Sequence, residues 1–274
     1  MNVERVSSGL QDVRIVRPAG PAAHPAPLAI IDVLACQAPQ LPDRLRAARA
    51  EFAASGAVVL SEVPIDQDDV LIGLSSWFGD VTRMGNGPPP GHLIRDLTWA
   101  PDAGATPMLE LHTDSAYSPH PHAAIALGCA ENSEGDWGNT ELTAISDVVD
   151  LLSTKDIAAL TSIPVRFAKM RSGRLEQQFD APILSLTDSG ATCRFNPEHL
   201  THGVGQSAPL GEPIAEAIRQ VGDLVNCAAI KVRTKLEPND LLVIDNWRVL
   251  HGRTALGGRA ARHLRRLKMM AWAV

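Results

Sequence analysis

Apolar and polar positions follow two different periods along this chain. Over residues 42–55 (PDRLRAARAEFAAS), Leu45, Ala48, Phe52 and Ala53 recur near helical spacing, and Gly56 is placed to stop the helix. A β-type run follows at Ala57 to Leu60, and a second helix is expected from about Asp66 to Phe78, ended by Gly79. Beyond residue 107 the pattern breaks into short strand-like pieces: Met108 to Asp114, Ala123 to Cys129, Val165 to Lys169 and Ala191 to Phe195. Helices are expected near Ile145 to Leu152, for a turn or two from Lys155, and over Gly211 to Val225. Strands return at Ala228 to Lys235, Leu241 to Ile244 and from about Arg262 to Trp272, with a Pro-Asn-Asp turn at 238–240. Many short strands with few helices predict a mainly β protein with flanking α-helices, a jelly roll or barrel rather than a Rossmann sheet. No G-x-G-x-x-G or P-loop occurs, which argues against nucleotide-phosphate chemistry.

Composition adjusts this picture only at the margins. The 274 residues, 45% hydrophobic and 20% charged, fit one large domain over 1–274 with no internal repeat. Residues 84–107 are so rich in Gly and Pro (MGNGPPPG, then PDAGATP) that a lid or binding loop is expected there. A net charge of −6 gives no reason to expect a nucleic-acid or anionic-membrane partner. Cys36, Cys129, Cys193 and Cys227 are scattered without a C-x-x-C pair, so reduced thiols and a cytoplasmic location are expected. The N-terminus lacks a secretory pattern, and the apolar stretch 27–36 is too short to span a bilayer.

Candidate chemistry begins at Leu109-Glu110-Leu111-His112-Thr113-Asp114. On a strand His112 and Asp114 project to one face, and an imidazole buried beside a carboxylate needs a compensating partner such as a metal. Asp245-Asn246-Trp247-Arg248-Val249-Leu250-His251-Gly252-Arg253 then supplies a second imidazole, His251. Two imidazoles and one carboxylate make the facial triad of non-haem Fe(II) oxygenases, whereas a zinc site would be expected to fill its tetrahedron with more His or Cys. Downstream, Arg262, Leu264 and Arg266 share one face of a strand. The alternating Leu residues argue that it is half-buried rather than a basic surface patch. A buried guanidinium needs an anion, and a dicarboxylate such as 2-oxoglutarate would supply one.

HTD at 112–114, Gly138-Asn139-Thr140, DNWRVLHGR at 245–253 and R-x-x-x-R at 262–266, in this order, resemble the TauD/TfdA group of Fe(II)- and 2-oxoglutarate-dependent oxygenases. That group includes clavaminate synthase-like enzymes. The resemblance runs from about residue 45 to the C-terminus. It implies a double-stranded β-helix core, a cupin-like jelly roll, with Fe(II), 2-oxoglutarate and O2 as the reacting set. Residue by residue, it makes His112, Asp114 and His251 the metal ligands, Arg262 and Thr140 the grip on the distal carboxylate of 2-oxoglutarate, and Arg266 a second arginine near its C1 end. The chain departs from the group's pattern at Asn139 and Trp247, neither of which is a ligand.

Glu110 shares a face with His112 and Asp114 and is a candidate for meeting a substrate ammonium. Tyr117, the only tyrosine, lies just past the triad and is a candidate pocket wall. Arg194, in Cys193-Arg194-Phe195-Asn196, sits where related amino-acid oxygenases carry R-[YF]-[ND], either touching a substrate carboxylate or bracing the core. His120 and His122 lie in a Pro-punctuated stretch and are expected at the surface. The resemblance implies an oxygenase hydroxylating, desaturating or cyclising a small polar substrate, such as an amino acid or an intermediate of antibiotic biosynthesis. The alternatives are a sulfonate- or ether-cleaving relative and a non-catalytic jelly-roll metal-binding module.

Overall fold

The structure is a computed structural model that describes residues 2–8, 10–17, 28–32, 41–83, 92–100, 104–205, 210–257 and 261–271. Three strands come first: β1 (Asn2–Ser8), β2 (Leu10–Arg17) and β3 (Leu28–Asp32). They are followed by α1 (Leu41–Ser55), β4 (Ala57–Ser61), α2 (Asp68–Ser75), β5 (Asp80–Val81) and β6 (Arg95–Trp99). The middle of the chain holds β7 (Leu109–His112), β8 (Ala124–Glu131), β9 (Thr140–Ala144), α3 (Ile145–Leu151) and α4 (Thr154–Ser162). Two hairpins come next, β10 (Val165–Arg171) with β11 (Arg174–Ala181), and β12 (Leu184–Thr187) with β13 (Gly190–Cys193). The rest is α5 (Pro197–Gly205), α6 (Ile214–Val225), β14 (Lys231–Thr234), β15 (Leu241–Asp245), β16 (Val249–Arg253) and β17 (Arg262–Met270).

Gly56 ends α1 for a steric reason. Its φ is +80°, which suits glycine, and a Cβ there would meet Val249 Cγ2 at 2.6 Å. The chain therefore turns directly into β4, whose residues 57–60 are all buried. The larger sheet runs β1-β2-β3-β4-β15-β8-β17-β5, with β6 also paired to β17; the smaller runs β14-β9-β16-β7. The two sheets share an apolar layer: Val59, Ile125, Leu127, Leu242 and Leu264 from the larger meet Leu142, Val232 and Val249 from the smaller. Helices α1 and α2 cover the outer face of the larger sheet with Leu45, Ala48, Leu71 and Leu74. Helices α3, α4 and α6 pack outside the smaller sheet against Leu111 and Leu250. This is the expected jelly roll, and each inward-facing side chain removed from water contributes on the order of 1.5–3 kcal/mol.

The structure also corrects several expectations. Of the Gly/Pro-rich stretch 84–107, residues 84–91 and 101–103 lie outside the described residues, but Arg95–Trp99 is a strand, with Leu97 turned toward the shared layer. Helix α2 is shorter than 66–78, and the strand expected over 108–114 ends at His112. Strands β9, β11 and β12 and helix α5 were not visible in the pattern. β11 is largely exposed and is formed by pairing with β10 rather than by an apolar face of its own.

Candidate metal centre and its cleft

Two neighbouring strands of the smaller sheet place the imidazoles. β16 pairs with β7 so that His251 stands directly opposite His112, with ring centroids 4.5 Å apart. The strands approach closely because Gly252 has no side chain; a Cβ there would sit 2.6 Å from the Leu109 carbonyl oxygen. Val249 and His251 face the interior, while Leu250 between them packs outward.

Asp114 reaches the same point from beyond the end of β7. Ser115, at φ +63°, turns the chain back, and the fully buried Asn246 clamps the turn. The Asn246 side chain accepts from the Asp114 backbone N–H at 2.7 Å and donates to the carbonyls of Asp114 at 3.0 Å and His122 at 2.8 Å. Thr113 is tied to Phe195 in both directions, donating its N–H to the Phe195 carbonyl and accepting the Phe195 N–H at 3.0 Å. The result is a buried group of His112, Asp114 and His251 whose ligand atoms all lie within 4.8 Å of one another.

The polar bonding of this group fits a cation. His112 donates Nδ1–H to the Glu110 carbonyl at 2.8 Å, which turns Nε2 toward Asp114 Oδ1, 3.3 Å away. A lone pair on Nε2 and a carboxylate oxygen repel unless a proton or metal ion lies between them. His251 Nδ1 is buried with no hydrogen-bond partner among the described residues. Burial pushes the His251 imidazole down to about 3, with His112 acting in the same direction, so it is a neutral donor at physiological pH. Burial works to raise the Asp114 pKa, but the Lys268 ammonium, the His112 hydrogen bond and the Arg266 guanidinium outweigh it and hold the carboxyl well below its usual range. Lys268 Nζ lies 2.8 Å and Arg266 Nη1 3.3 Å from Asp114 Oδ2.

The second cluster lies one step along the same ladder. His251 pairs with Leu142 and Arg253 with Thr140, so a two-residue rise of about 6.7 Å separates the histidine from the Thr140 position. Arg262 Nη2 donates to Thr140 Oγ1 at 3.4 Å. Arg262 is 4% exposed, its Nε is unpartnered, and no carboxylate pairs with it among the described residues. Burial and the nearby Arg253 guanidinium lower its pKa to about 10.

A cleft of about 460 Å³ opens onto the histidine–aspartate group. Glu110 lies exposed on its wall; Tyr117 lines it half-buried, edge-on to His199 with centroids 4.8 Å apart. Arg95, Lys169, Glu198, Arg266 and Lys268 supply the charged lining. Arg194 is placed elsewhere. Its Nη1 donates to the carbonyls of Ala116 and Ser118, and its guanidinium lies 4.9 Å from the Phe179 ring, so it braces the loop behind the cleft instead of lining it. His122 is half-buried rather than a surface residue, bonded to Ser115 Oγ at 2.9 Å.

Sequence reasoning missed Lys268, Asn246, Arg253, Trp99 and His199. Period-two alternation on β17 was the available signal for Lys268, which shares a face with Arg262 and Arg266. The same alternation on β16 turns Arg253 inward with His251. Nothing local marks Asn246, whose partners lie 124 and 132 residues away.

The family described as "Taurine catabolism dioxygenase TauD, TfdA family" matches residues 25–268. Gamma-butyrobetaine dioxygenase from Homo sapiens is 27% identical over 214 residues, covering 71% of this chain and 54% of that protein. L-asparagine oxygenase from Streptomyces coelicolor is 25% identical over 234 residues, covering 75% of this chain and 67% of that protein. The chain thus spans about half to two thirds of the length of these relatives. The solved structure of PvcB, an Fe, alpha-ketoglutarate dependent oxygenase, shares the fold with a TM-score of 0.68 at 20% identity, covering 99% of this chain and 96% of that one. No helix among the described residues is long and apolar enough to cross a membrane.

Proposed function

The chain belongs to the TauD/TfdA family of dioxygenases, and from that premise we propose that it is an Fe(II)- and 2-oxoglutarate-dependent oxygenase hydroxylating a small amino-acid-like molecule. The observation that carries this reading is the pairing of two built sites. A buried two-histidine, one-carboxylate group fits a divalent cation, and a buried guanidinium without a carboxylate fits an anion one strand step away. A metal-binding module without oxygenase activity would have no use for the second. The relatives named asparagine oxygenase and butyrobetaine dioxygenase act on amino acids or betaines by name, and support the substrate class.

In this reading His112, Asp114 and His251 hold the iron, which with 2-oxoglutarate supplies O2 activation coupled to decarboxylation of the 2-oxo acid to succinate. The chain's own groups arrange the rest. The Glu110 carbonyl fixes the His112 ring, leaving Nε2 for the metal. Lys268 and Arg266 engage Asp114 Oδ2 and leave Oδ1 on the histidine side. Arg262 and Thr140 grip the distal carboxylate, and Arg266 lies at the end nearer Asp114. The exposed carboxylates of Glu110 and Glu198 meet a substrate ammonium at the mouth, where Tyr117 and His199 form a wall.

Anaerobic addition of Fe(II) and then 2-oxoglutarate tests the reading, with His112→Ala as control. A weak visible charge-transfer band in wild type alone, followed by succinate release with amino-acid substrates, is the expected result. Iron binding without band or succinate would overturn the assignment in favour of the metal module.

A further inference from the structure

Alternate residues of β6 stand on one face, each opposite a residue of β17: the exposed Arg95 is paired with Arg266, the half-buried Leu97 with Leu264, and the half-buried Trp99 with Arg262. Its outward residue Asp96 is bound to His263 at 2.7 Å and to Arg265 at 3.5 Å, which fixes the strand's register from the other side. Trp99 is thereby brought to the far end of the interior, where two guanidiniums lie over its ring. Arg262 Cζ is 5.6 Å from the centroid and Arg253 Cζ 5.4 Å.

The two arginines are held very differently. Arg253, on β16 of the facing sheet, donates to the carbonyls of Thr254 at 2.7 Å and Pro107 at 3.1 Å. Among the described residues, the Arg262 side chain has only the long hydrogen bond to Thr140 Oγ1, and the Nε of both arginines has no acceptor. Hydrogen bonds alone therefore leave the orientation of the Arg262 guanidinium loosely fixed. The electron-rich indole face supplies the missing constraint. It attracts both cations, which offsets their mutual repulsion, and it covers the guanidinium whose pairing with a carboxylate depends on low dielectric.

We infer that Trp99 is a positioning residue for the co-substrate, aiming Arg262 at the distal carboxylate of 2-oxoglutarate through contact with the guanidinium rather than with the ligand. The inference rests on the co-substrate role given to Arg262 above. Its signature is selectivity among 2-oxo acids. 2-Oxobutyrate has the same metal-chelating end as 2-oxoglutarate but no distal carboxylate, so it makes no use of Arg262.

The experiment measures the affinity of both acids for the Mn(II)-loaded protein by calorimetry, in wild type, Trp99→Ala and Trp99→Phe. Mn(II) affinity is followed separately by its paramagnetic resonance signal. Wild type is expected to favour 2-oxoglutarate strongly. Trp99→Ala weakens 2-oxoglutarate by about tenfold while leaving 2-oxobutyrate and Mn(II) within about twofold, and Trp99→Phe, which keeps a ring face, recovers most of the loss. Unchanged 2-oxoglutarate affinity in Trp99→Ala, or parallel weakening of both acids, overturns the inference while leaving the co-substrate reading in place. The same holds if Trp99→Phe falls as far as Trp99→Ala. Equal affinity of wild type for the two acids overturns the co-substrate reading of Arg262 itself.

Discussion

Replacing Asn246 by Ala should loosen the metal centre from a position that touches no metal ligand side chain. The amide is fully buried and makes three hydrogen bonds, to the Asp114 N–H, the Asp114 carbonyl and the His122 carbonyl, all between 2.7 and 3.0 Å. Each such bond contributes about 1 kcal/mol net, and a buried group left unpaired costs about 1–3 kcal/mol, partly recovered if water enters the space. A loss of roughly 3 kcal/mol is therefore expected, which lowers Tm by about 6–12 °C for a domain of this size. Asn246→Asp keeps an acceptor for the Asp114 N–H but sets a carboxylate oxygen against two carbonyl oxygens, and should be at least as damaging at pH 8. The assay is urea unfolding of metal-free protein, paired with Mn(II) titration of the folded variant. The turn carrying Asp114 is held by this clamp, so metal affinity should fall together with stability. A loss below about 1 kcal/mol for Asn246→Ala, or full stability loss with unchanged Mn(II) affinity, would refute the clamp argument.

Arg262→Ala should raise the apparent 2-oxoglutarate requirement by about 10- to 100-fold, the equivalent of one charge-assisted carboxylate pair, with metal affinity nearly unchanged; steady-state kinetics at varied co-substrate checks it. Gly252→Ala drives a methyl into the Leu109 carbonyl between the two histidine-bearing strands. It should cost about 2 kcal/mol in urea unfolding and weaken Mn(II) binding. His122 and His199 are each lowered from 6.5 to about 4, burial being the main cause. The unfolded chain then binds protons that the folded one refuses, so their contribution to stability is complete above pH 6.5 and lost as pH falls toward 4. The urea midpoint of metal-free protein should drop across that window, and His199→Gln should flatten the slope.

The triad was legible in the sequence, although not for the whole of the geometric reason. His112 and Asp114 were read as two positions on one strand face, yet β7 ends at His112 and Asp114 is delivered by the Ser115 turn and the Asn246 clamp. The H-x-D spacing survives because either route brings the carboxylate beside the imidazole. Arg262 was legible because a guanidinium alternating with Leu264 implies burial, and burial without a local carboxylate implies a ligand. Lys268 has the same alternation, but its partner Asp114 lies on a distant turn, and no local pattern encodes that meeting. Composition misled at 95–99: flanking Gly and Pro obscured Leu97 and Trp99, whose inward alternation and pairing with β17 make a strand. Arg194 shows the reverse case, a suggestive local triplet open to two readings, of which bracing fits a guanidinium engaged by backbone carbonyls.

The distribution of charge explains why two different ligands suit one cavity. Among the described residues of the interior, the cations Lys268, Arg266, Arg253 and Arg262 accompany the carboxylate of Asp114, and of these Lys268 and Arg266 are paired with it. A divalent metal at Asp114 adds further positive charge, and burial limits the screening that salt could provide. The interior therefore favours a dianion, and favours it more once the metal is in place. At the mouth the lining is of mixed sign: Glu110 and Glu198 are exposed carboxylates without a paired cation among the described residues, and they stand with the exposed Arg95 and the half-buried Lys169. A ligand bearing an ammonium is attracted to those carboxylates and repelled from the unneutralised interior. On the proposed function, this charge distribution favours metal and dianionic co-substrate before an ammonium-bearing substrate, because the dianion removes the repulsion that the substrate would otherwise meet.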